Sequence, residues 1–330
     1  MKVFFIKEKL QMSRIFENIY KKVALISPWL EVALRRIYWN NIEIFKKLNP
    51  HNLDVKPKKV VKNVNFNEII EWYKSKGIGE GDLLIVHSSF TGLISTGLTP
   101  DQVIDLLLEL IGPSGTLAMP VIRIYKEEPK TEDLLKINTD NLICTYDVKR
   151  SPVSSGLLPF RFLRRKDVYI SHHPLNPMCA VGPLAKKMME NNLNGDFPSP
   201  HGPNSSWRFC FDNGAKVVSL GVNIEHYNTI VHVADESFDD WKWSDEEWYR
   251  HRIFDIVDEQ NNVQQKIVSE RKPEWGLLHF TEIRLNNDLK KLGIMQVSKI
   301  KDQIEVGFVD VNRMIAYLRS KKDIGYPYYV

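Results

Sequence analysis

At 330 residues and 43% hydrophobic, the chain is long enough for one large domain or two small ones with a buried core. Its formal charge of +4 is unevenly spread: residues 1–62 hold 14 Lys/Arg against 5 Asp/Glu, a net of +9, which leaves −5 for the rest. Basic character confined to an N-terminal arm excludes a whole-protein nucleic-acid footprint. Three scattered cysteines, Cys144, Cys179 and Cys210, exclude a disulfide framework or a zinc site and suit a reducing, cytoplasmic compartment.

The arm carries no secretory signal. Its apolar run at residues 23–30 is interrupted by Glu31, well short of the roughly 20 apolar residues that cross a bilayer. Up to Leu48 it reads as helical, with Trp29, Leu30, Ile37, Tyr38, Trp39, Ile42 and Phe45 set among Lys and Arg. Such a segment either packs on its own domain, the commoner case, or lies on an anionic membrane surface. In the second case residues 1–48 would hold a cytoplasmic protein peripherally at the inner face of the membrane. Residues 51–62, with Pro57 and several Lys, read as a linker, so the expected division is an arm over 1–62 and an α/β domain over 63–330.

Asn67 is the expected N-cap of a helix that Gly77 stops. The run Leu83-Leu84-Ile85-Val86-His87 suits a strand buried on both faces. Thr99, Pro100 and Gln102 form a capping box ahead of an apolar stripe through Val103, Ile104, Leu107 and Ile111, and a second strand begins at Thr116. Strand, helix, strand predicts an α/β sheet. Further strands are predicted at residues 178–181, 216–222, 253–257 and 304–309, with a closing helix at 311–319. Trp241, Trp243, Trp248 and Tyr249, among Asp239, Asp240, Asp245, Glu246 and Glu247, suit either sugar or amine recognition or a partly buried aromatic core.

The segment His87-Ser88-Ser89-Phe90-Thr91-Gly92 follows the first buried strand, and strand carboxyl ends are where open α/β sheets bind ligands. Its hydroxyls and N–H groups could hold a phosphate or a pantetheine amide, or form a plain turn. The chain has no G-x-G-x-x-G, no Walker A loop and no G-x-S-x-G elbow, which speaks against a dinucleotide enzyme, an ATPase and an α/β-hydrolase. Between Ser171 and Glu236 lie His172, His173, His232, Asp235 and Glu236, the imidazoles and carboxylates needed to take a proton from a nucleophile near neutral pH. For Cys179 a buried strand thiol is a better reading than a nucleophile.

In order, Gly81-Asp82, His87-Ser88-Ser89, Gly112-Pro113-Ser114-Gly115-Thr116-Leu117, Met119-Pro120, Tyr146-Asp147, Gly156-Leu157-Leu158-Pro159, His173-Pro174, Val181-Gly182-Pro183-Leu184-Ala185, Gly221-Val222, Asn228-Thr229 and His232-x-x-Asp235 resemble the aminoglycoside 3-N-acetyltransferase (antibiotic N-acetyltransferase) family. The resemblance implies a layered sheet with helices on both faces, acetyl-CoA as donor, a small-molecule amine as acceptor, no metal and no acyl-enzyme. It makes His173 the acid/base, places Asp235 where the family has Glu, sets His232 three residues before it on one helical face, and lets Asp147 orient an imidazole. It places the donor against His87, Ser88, Ser89, Phe90, Thr91, Pro120 and Ser154.

The departures concern the acceptor. Asp235 is one methylene shorter than Glu, Phe160-Arg161 stand where Glu is usual, and His201-Gly202-Pro203 replaces a Phe-Gly-Pro element. With a carboxylate lost at 160, a singly aminated sugar is the expected acceptor, nucleotide- or lipid-linked in surface-polysaccharide synthesis. The alternatives are an aminoglycoside antibiotic, or a catalytically weakened scaffold that keeps the fold.

Overall fold

The structure is a computed structural model and describes residues 14–48 and 64–330. The linker expected at 51–62 and the boundary at 62/63 lie outside the described residues. Seven strands form one sheet in the order β4-β5-β2-β1-β6-β10-β9. They are β1 (Leu83–Ser88), β2 (Thr116–Pro120), β4 (Tyr169–Ile170), β5 (Met178–Val181), β6 (Lys216–Leu220), β9 (Met295–Ile300) and β10 (Ile304–Asp310). The central trio β2-β1-β6 is parallel, its neighbours β5 and β10 run antiparallel to it, and the outermost β4 and β9 pair antiparallel with those. A second sheet joins β3 (Ile143–Asp147) in parallel to the antiparallel hairpin of β7 (Tyr249–Val257) and β8 (Val263–Arg271).

The central runs are apolar throughout because both faces of the large sheet are covered. Leu83, Ile85, Ala118, Met178, Ala180 and Val217 share one core with Trp207 and with α5 (Glu282–Lys291) and α6 (Val311–Arg319). Leu84, Val86, Leu117, Met119, Cys179 and Val218 face the other way, onto α3 (Phe66–Lys74) and α4 (Pro100–Ile111). Helices on both faces are therefore as expected. The Thr99–Gln102 capping box closes as expected too, whereas α3 is capped by Asn65, whose side chain accepts from the Asn67 N–H at 3.0 Å. Phe66 is drawn into the helix because its ring is buried in the second core, so the start moves back from Asn67.

His87 continues the row of Leu83 and Ile85 on the first face, opposite Ser219 of β6. It is 4% exposed, and its Nε2 is buried without a hydrogen-bond partner. Burial lowers its pKa to about 3.

The arm forms α1 (Arg14–Ile26), α2 (Pro28–Asn40) and a shorter helix, Ile42–Leu48. Its inner face docks on the domain. Glu31, the residue that interrupts the apolar run, is fully buried and accepts from the Ile283 N–H at 3.1 Å. Arg35 lies 3.6 Å from Glu31 and 3.4 Å from Glu282, and Trp39 and Ile42 pack on Leu277. The outer face is apolar and open: Ile26, Leu30, Ile37 and Ile44 are all exposed, while Trp29 at its border meets the Tyr329 ring at 5.6 Å. The tryptophan cluster belongs to the core. Trp243 stacks on Trp248 with ring centroids 5.6 Å apart, and both meet Trp275 and Tyr328. The three cysteines are buried and free.

Two outcomes follow from this packing. Arg35→Met leaves Glu31 as an uncompensated buried charge and should cost about 3–5 kcal/mol, seen as a lower melting temperature with faster hydrogen exchange over α2; unchanged exchange would refute the docking role. The second concerns His87. Unfolded His takes a proton below about pH 6.5, while folded His87 refuses one until about pH 3, so its contribution to stability is intact above 6.5 and shrinks as pH falls through that window. His87→Phe should therefore lose less melting temperature than wild type between pH 6.5 and 4.5, and parallel curves would contradict this.

Candidate active site

The 3-10 turn Thr229–His232 runs directly into the helical turn Val233–Glu236, which sets His232 and Asp235 on one face as their spacing predicts. His232 Nδ1 is 3.6 Å from Asp235 Oδ2. Between them stands Arg271, the last residue of β8. Its Nη1 is 2.7 Å from His232 Nδ1, 3.2 Å from Asp235 Oδ2 and 3.8 Å from Glu236 Oε1, and it also donates to the Tyr328 hydroxyl.

These groups are all nearly inaccessible, so burial dominates their protonation. Asp235 is raised to about 8 by burial, with Arg271 pulling down and Glu236 pushing up. For Glu236 burial also pushes up, but His201 and Arg271 together outweigh it and hold the carboxyl below its usual range. His232 is held far below its usual value, first by burial and then by Arg271. It is a neutral acceptor for the guanidinium, and its Nδ1 lone pair is already occupied.

Glu236 faces an imidazole that the motifs did not single out as functional. Its Oε2 is 3.2 Å from His201 Nδ1, both side chains being buried. The His201 ring lies 5.2 Å from that of His232 and 5.8 Å from that of Trp207, and its Nε2 is 3.5 Å from Asn176 Nδ2. Trp207 fixes this corner by donating to the Asn176 carbonyl at 2.9 Å.

His173 is buried beside the same group, but its ring nitrogens meet backbone. Nε2 is 3.1 Å from the Pro198 carbonyl and must donate to it, while Nδ1 lies 3.2 Å from the Leu175 N–H. Burial lowers its pKa to about 4. The structure brings His232 to Asp235 and leaves His173 on the backbone. His172 turns away to Glu259 at 3.0 Å. Asp147 caps its own turn, accepting from Lys149 and Arg150 N–H groups at 3.0 and 2.8 Å. It is the preceding residue, Tyr146, that steers the histidine segment, donating its hydroxyl to the Ser171 carbonyl at 2.7 Å.

The expected donor cradle sits at the carboxyl ends of β1 and β2. His87 stacks near Trp207 with centroids 6.3 Å apart, and the Ser88 hydroxyl is buried without a partner. The Ser89 N–H donates to Leu220 at 3.0 Å, and Phe90 and Thr91 open a 3-10 helix. A Cβ on Gly92 would stand 2.1 Å from the Gly221 carbonyl oxygen, so this loop fits only with glycine there. Pro120 ends β2, and Ser154 lies beside the chain just after it, its N–H 2.8 Å from the Ile122 carbonyl.

Beside Pro198, Gly202 and Glu236 opens a cleft of about 960 Å³. Six carboxylates line it (Asp140, Asp196, Glu236, Asp239, Asp245 and Glu246) against two basic side chains, Arg250 and Lys272, a net of −4. Arg250 is itself paired with Glu270 at 2.6 Å. A second cavity of about 50 Å³ lies behind His232 and Asn176, with Asn228, Thr229 and Phe280 in its walls. Among the described residues no cluster suits a metal ion, and no helix is long and apolar enough to cross a membrane.

The family model described as aminoglycoside 3-N-acetyltransferase matches residues 85–320. The chain is 30% identical over 175 residues to aminoglycoside N(3)-acetyltransferase IV of Salmonella sp, a match covering 50% of this chain and 59% of that protein. It spans about three fifths of the length of such curated relatives. Among solved structures, aminoglycoside acetyltransferase AAC(3)-Xa superposes with a TM-score of 0.63 at 18% identity, covering 79% of this chain and 93% of that one. AAC-IIIb in a binary complex with CoASH gives 0.60 at 17%, covering 81% and 99%. These structures share the fold, and the match of the family model across most of the chain identifies it as a member of the aminoglycoside 3-N-acetyltransferase family.

Proposed function

We propose that the protein transfers the acetyl group of acetyl-CoA to an amine of an aminoglycoside, a sugar carrying several ammonium groups. The observation that carries this reading is the acidic cleft. Six carboxylates around about 960 Å³ suit a polycation in both size and charge, because the field captures it and the individual carboxylates orient it. The surface-polysaccharide reading drew on a missing carboxylate at position 160, on a chain without strong overall acidity and on the basic arm. Phe160 is outside the cleft, its ring covered by the Arg164 guanidinium at 3.5 Å, so its identity takes nothing from the cleft's charge. The relatives' names point to the same acceptor class.

The chemistry asks for three things. The donor's thioester must reach the cleft, for which the His87–Thr91 loop with Pro120 and Ser154 is the proposed cradle. The ammonium must lose one proton before its nitrogen can attack, and the attacking nitrogen must shed another as the C–N bond forms, the second a task for a neutral imidazole. The oxyanion then needs N–H donors, which strand-end backbone supplies. The resemblance gives the proton to His173, with Asp235 and His232 as supporting groups and Asp147 orienting an imidazole. In this arrangement Asp235 would hold a proton at neutral pH, and Arg271 would supply the local positive charge.

For the arm, we propose an anionic lipid surface as the partner of its outer face. Exposed Ile26, Leu30 and Ile37 lie within residues 1–62, of net +9, which matches a negatively charged bilayer in polarity and charge.

The first test mixes the protein with acetyl-CoA and gentamicin and follows thiol release and acetylated product. Product is expected; acetyl-CoA binding without any accepted amine would leave a scaffold that keeps the fold. The triple variant Asp239→Asn, Asp245→Asn, Glu246→Gln should raise KM for the polycation about tenfold or more at low salt, with kcat changed less and the gap closing as salt rises. An unchanged KM would take the cleft out of acceptor binding. Replacing Ile26, Leu30 and Ile37 by Gln should abolish sedimentation with phosphatidylserine vesicles while leaving turnover intact; equal sedimentation, or none by wild type, rejects the lipid partner.

A further inference from the structure

His201 is buried between two cavities and lines neither itself. Its neighbours Gly202 and Glu236 line the acidic cleft, while Asn176 and His232, which flank its ring, line the small cavity behind. The arrangement around the ring is polar on both sides. Nδ1 is 3.2 Å from a carboxylate oxygen of Glu236, and Nε2 is 3.5 Å from the amide nitrogen of Asn176. Nδ1 and the Glu236 oxygen are in contact without the alignment of a hydrogen bond; because a carboxylate can only accept and an amide NH₂ can only donate, these neighbours favour a proton on Nδ1 and a lone pair on Nε2. Apart from the approach of Asn176, which at 3.5 Å is long for a hydrogen bond, Nε2 is unclaimed. A carboxylate in contact with Nδ1 and a lone pair on the opposite nitrogen give an imidazole base paired with an anion. His173 differs in this respect, since its Nε2 hydrogen is given to Pro198 and its Nδ1 takes the Leu175 N–H.

We propose that His201, paired with Glu236, is the group that takes the proton from the attacking amine, and that the amine and the thioester meet at this wall. The inference rests on the acetyl-transfer reading above and assigns a residue within it. The acceptor enters as R–NH₃⁺ and releases one proton to water. As the nitrogen of R–NH₂ attacks the thioester carbonyl and the C–N bond forms, its remaining surplus proton passes to His201 Nε2. The tetrahedral intermediate collapses, the C–S bond breaks with its electron pair on sulfur, and the coenzyme A thiolate takes that proton from His201. The products are R–NH–acetyl and CoASH, with His201 restored.

The charged groups facing His201 set its working range. Glu236 and Asp235 come from the Thr229–Glu236 segment, Arg271 from the end of β8, and His232 and His173 add two neutral rings. Burial lowers the His201 pKa, Glu236 opposes that, and Arg271 reinforces it, so the ring is a free base at neutral pH. Rate should therefore fall on the acid side, as His201 takes up a proton from solvent. Removing the Glu236 charge lowers the His201 pKa further, and the acid limb should move to lower pH.

The experiment compares wild type, His201→Gln and Glu236→Gln with acetyl-CoA and gentamicin across pH 4.5–8.5, with acetyl-CoA binding measured by calorimetry on each. His201→Gln should bind acetyl-CoA normally and lose about 10²-fold or more in kcat. Glu236→Gln should shift the acid limb of kcat/KM downward. If wild type turns over and His201→Gln stays within threefold of it, the assignment to His201 fails and acetyl transfer stands. If wild type neither binds acetyl-CoA nor acetylates, the acetyl-transfer reading fails and takes this assignment with it. Should His201→Gln not fold, ¹⁵N-histidine NMR of wild type decides: a ring protonated on Nδ1 with an unprotonated Nε2 supports the proposal, and a proton on Nε2 overturns it.

Discussion

The candidate site depends on one buried cation. Arg271 is 3% exposed and lies against two carboxylates on adjacent residues, Asp235 and Glu236, which could not both be carried in an apolar interior without it. It also fixes which group holds a proton. With a single guanidinium shared, burial leaves Asp235 raised to about 8, while His201 helps to keep Glu236 ionised. By donating to His232, Arg271 makes that ring a neutral acceptor. The guanidinium is walled in by the faces of Trp248 and Tyr328, at 5.6 and 5.4 Å. Aromatic residues near the acidic run thus serve the site indirectly, by building the pocket for the cation that organises it.

The site lies where the two sheets meet. The large sheet brings the strand ends after β1 and β2, with their serines and close glycine contacts. The small sheet brings Arg271 at the end of β8, and residues of β7 and β8 (Tyr249, Arg250, His251 and Ser269) in the cleft wall. Neither sheet alone contains both the cleft and the oriented imidazoles. The charge of the chain is unevenly spread, with a net of +9 over residues 1–62 and a net of −4 among the side chains that line the cleft.

What the sequence made legible was local. The capping box of α4, the apolar runs of β1, β2 and β5 and the helix α6 depend on residues within a few positions of each other, and each was placed to within a residue or two. The His232–Asp235 pairing was legible for the same reason, being a helical spacing. The hairpin partner β8 was not, because its first half, Val263 to Lys266, is open to solvent and reads as a polar loop. Arg271 meets Asp235 from 36 residues away, in a Ser-Glu-Arg-Lys stretch that looks like surface. His201 appeared only as a departure from a motif, and nothing short of the three-dimensional packing puts Glu236 behind its ring.

In the proposed reaction, capture and attack make opposite demands on an amine, and the acidic cleft and the buried imidazoles are separate places. An acidic cleft stabilises the ammonium form and raises the amine's pKa, which favours binding but disfavours nucleophilic attack. The wall behind Glu236 is nearly dry, and a low-dielectric boundary penalises the charged form of whatever approaches it. Burial has the same effect on His173, His201 and His232, keeping each neutral at pH 7. In that proposal, an amine drawn from the cleft toward that wall would pass from a field that holds its proton to a surface that expels it, and would meet neutral imidazoles there. A fully solvated site could not separate the two functions, because water would level both fields. The burial that makes the histidines poor proton acceptors in the resting protein is therefore what makes the place they occupy suitable for a neutral nucleophile.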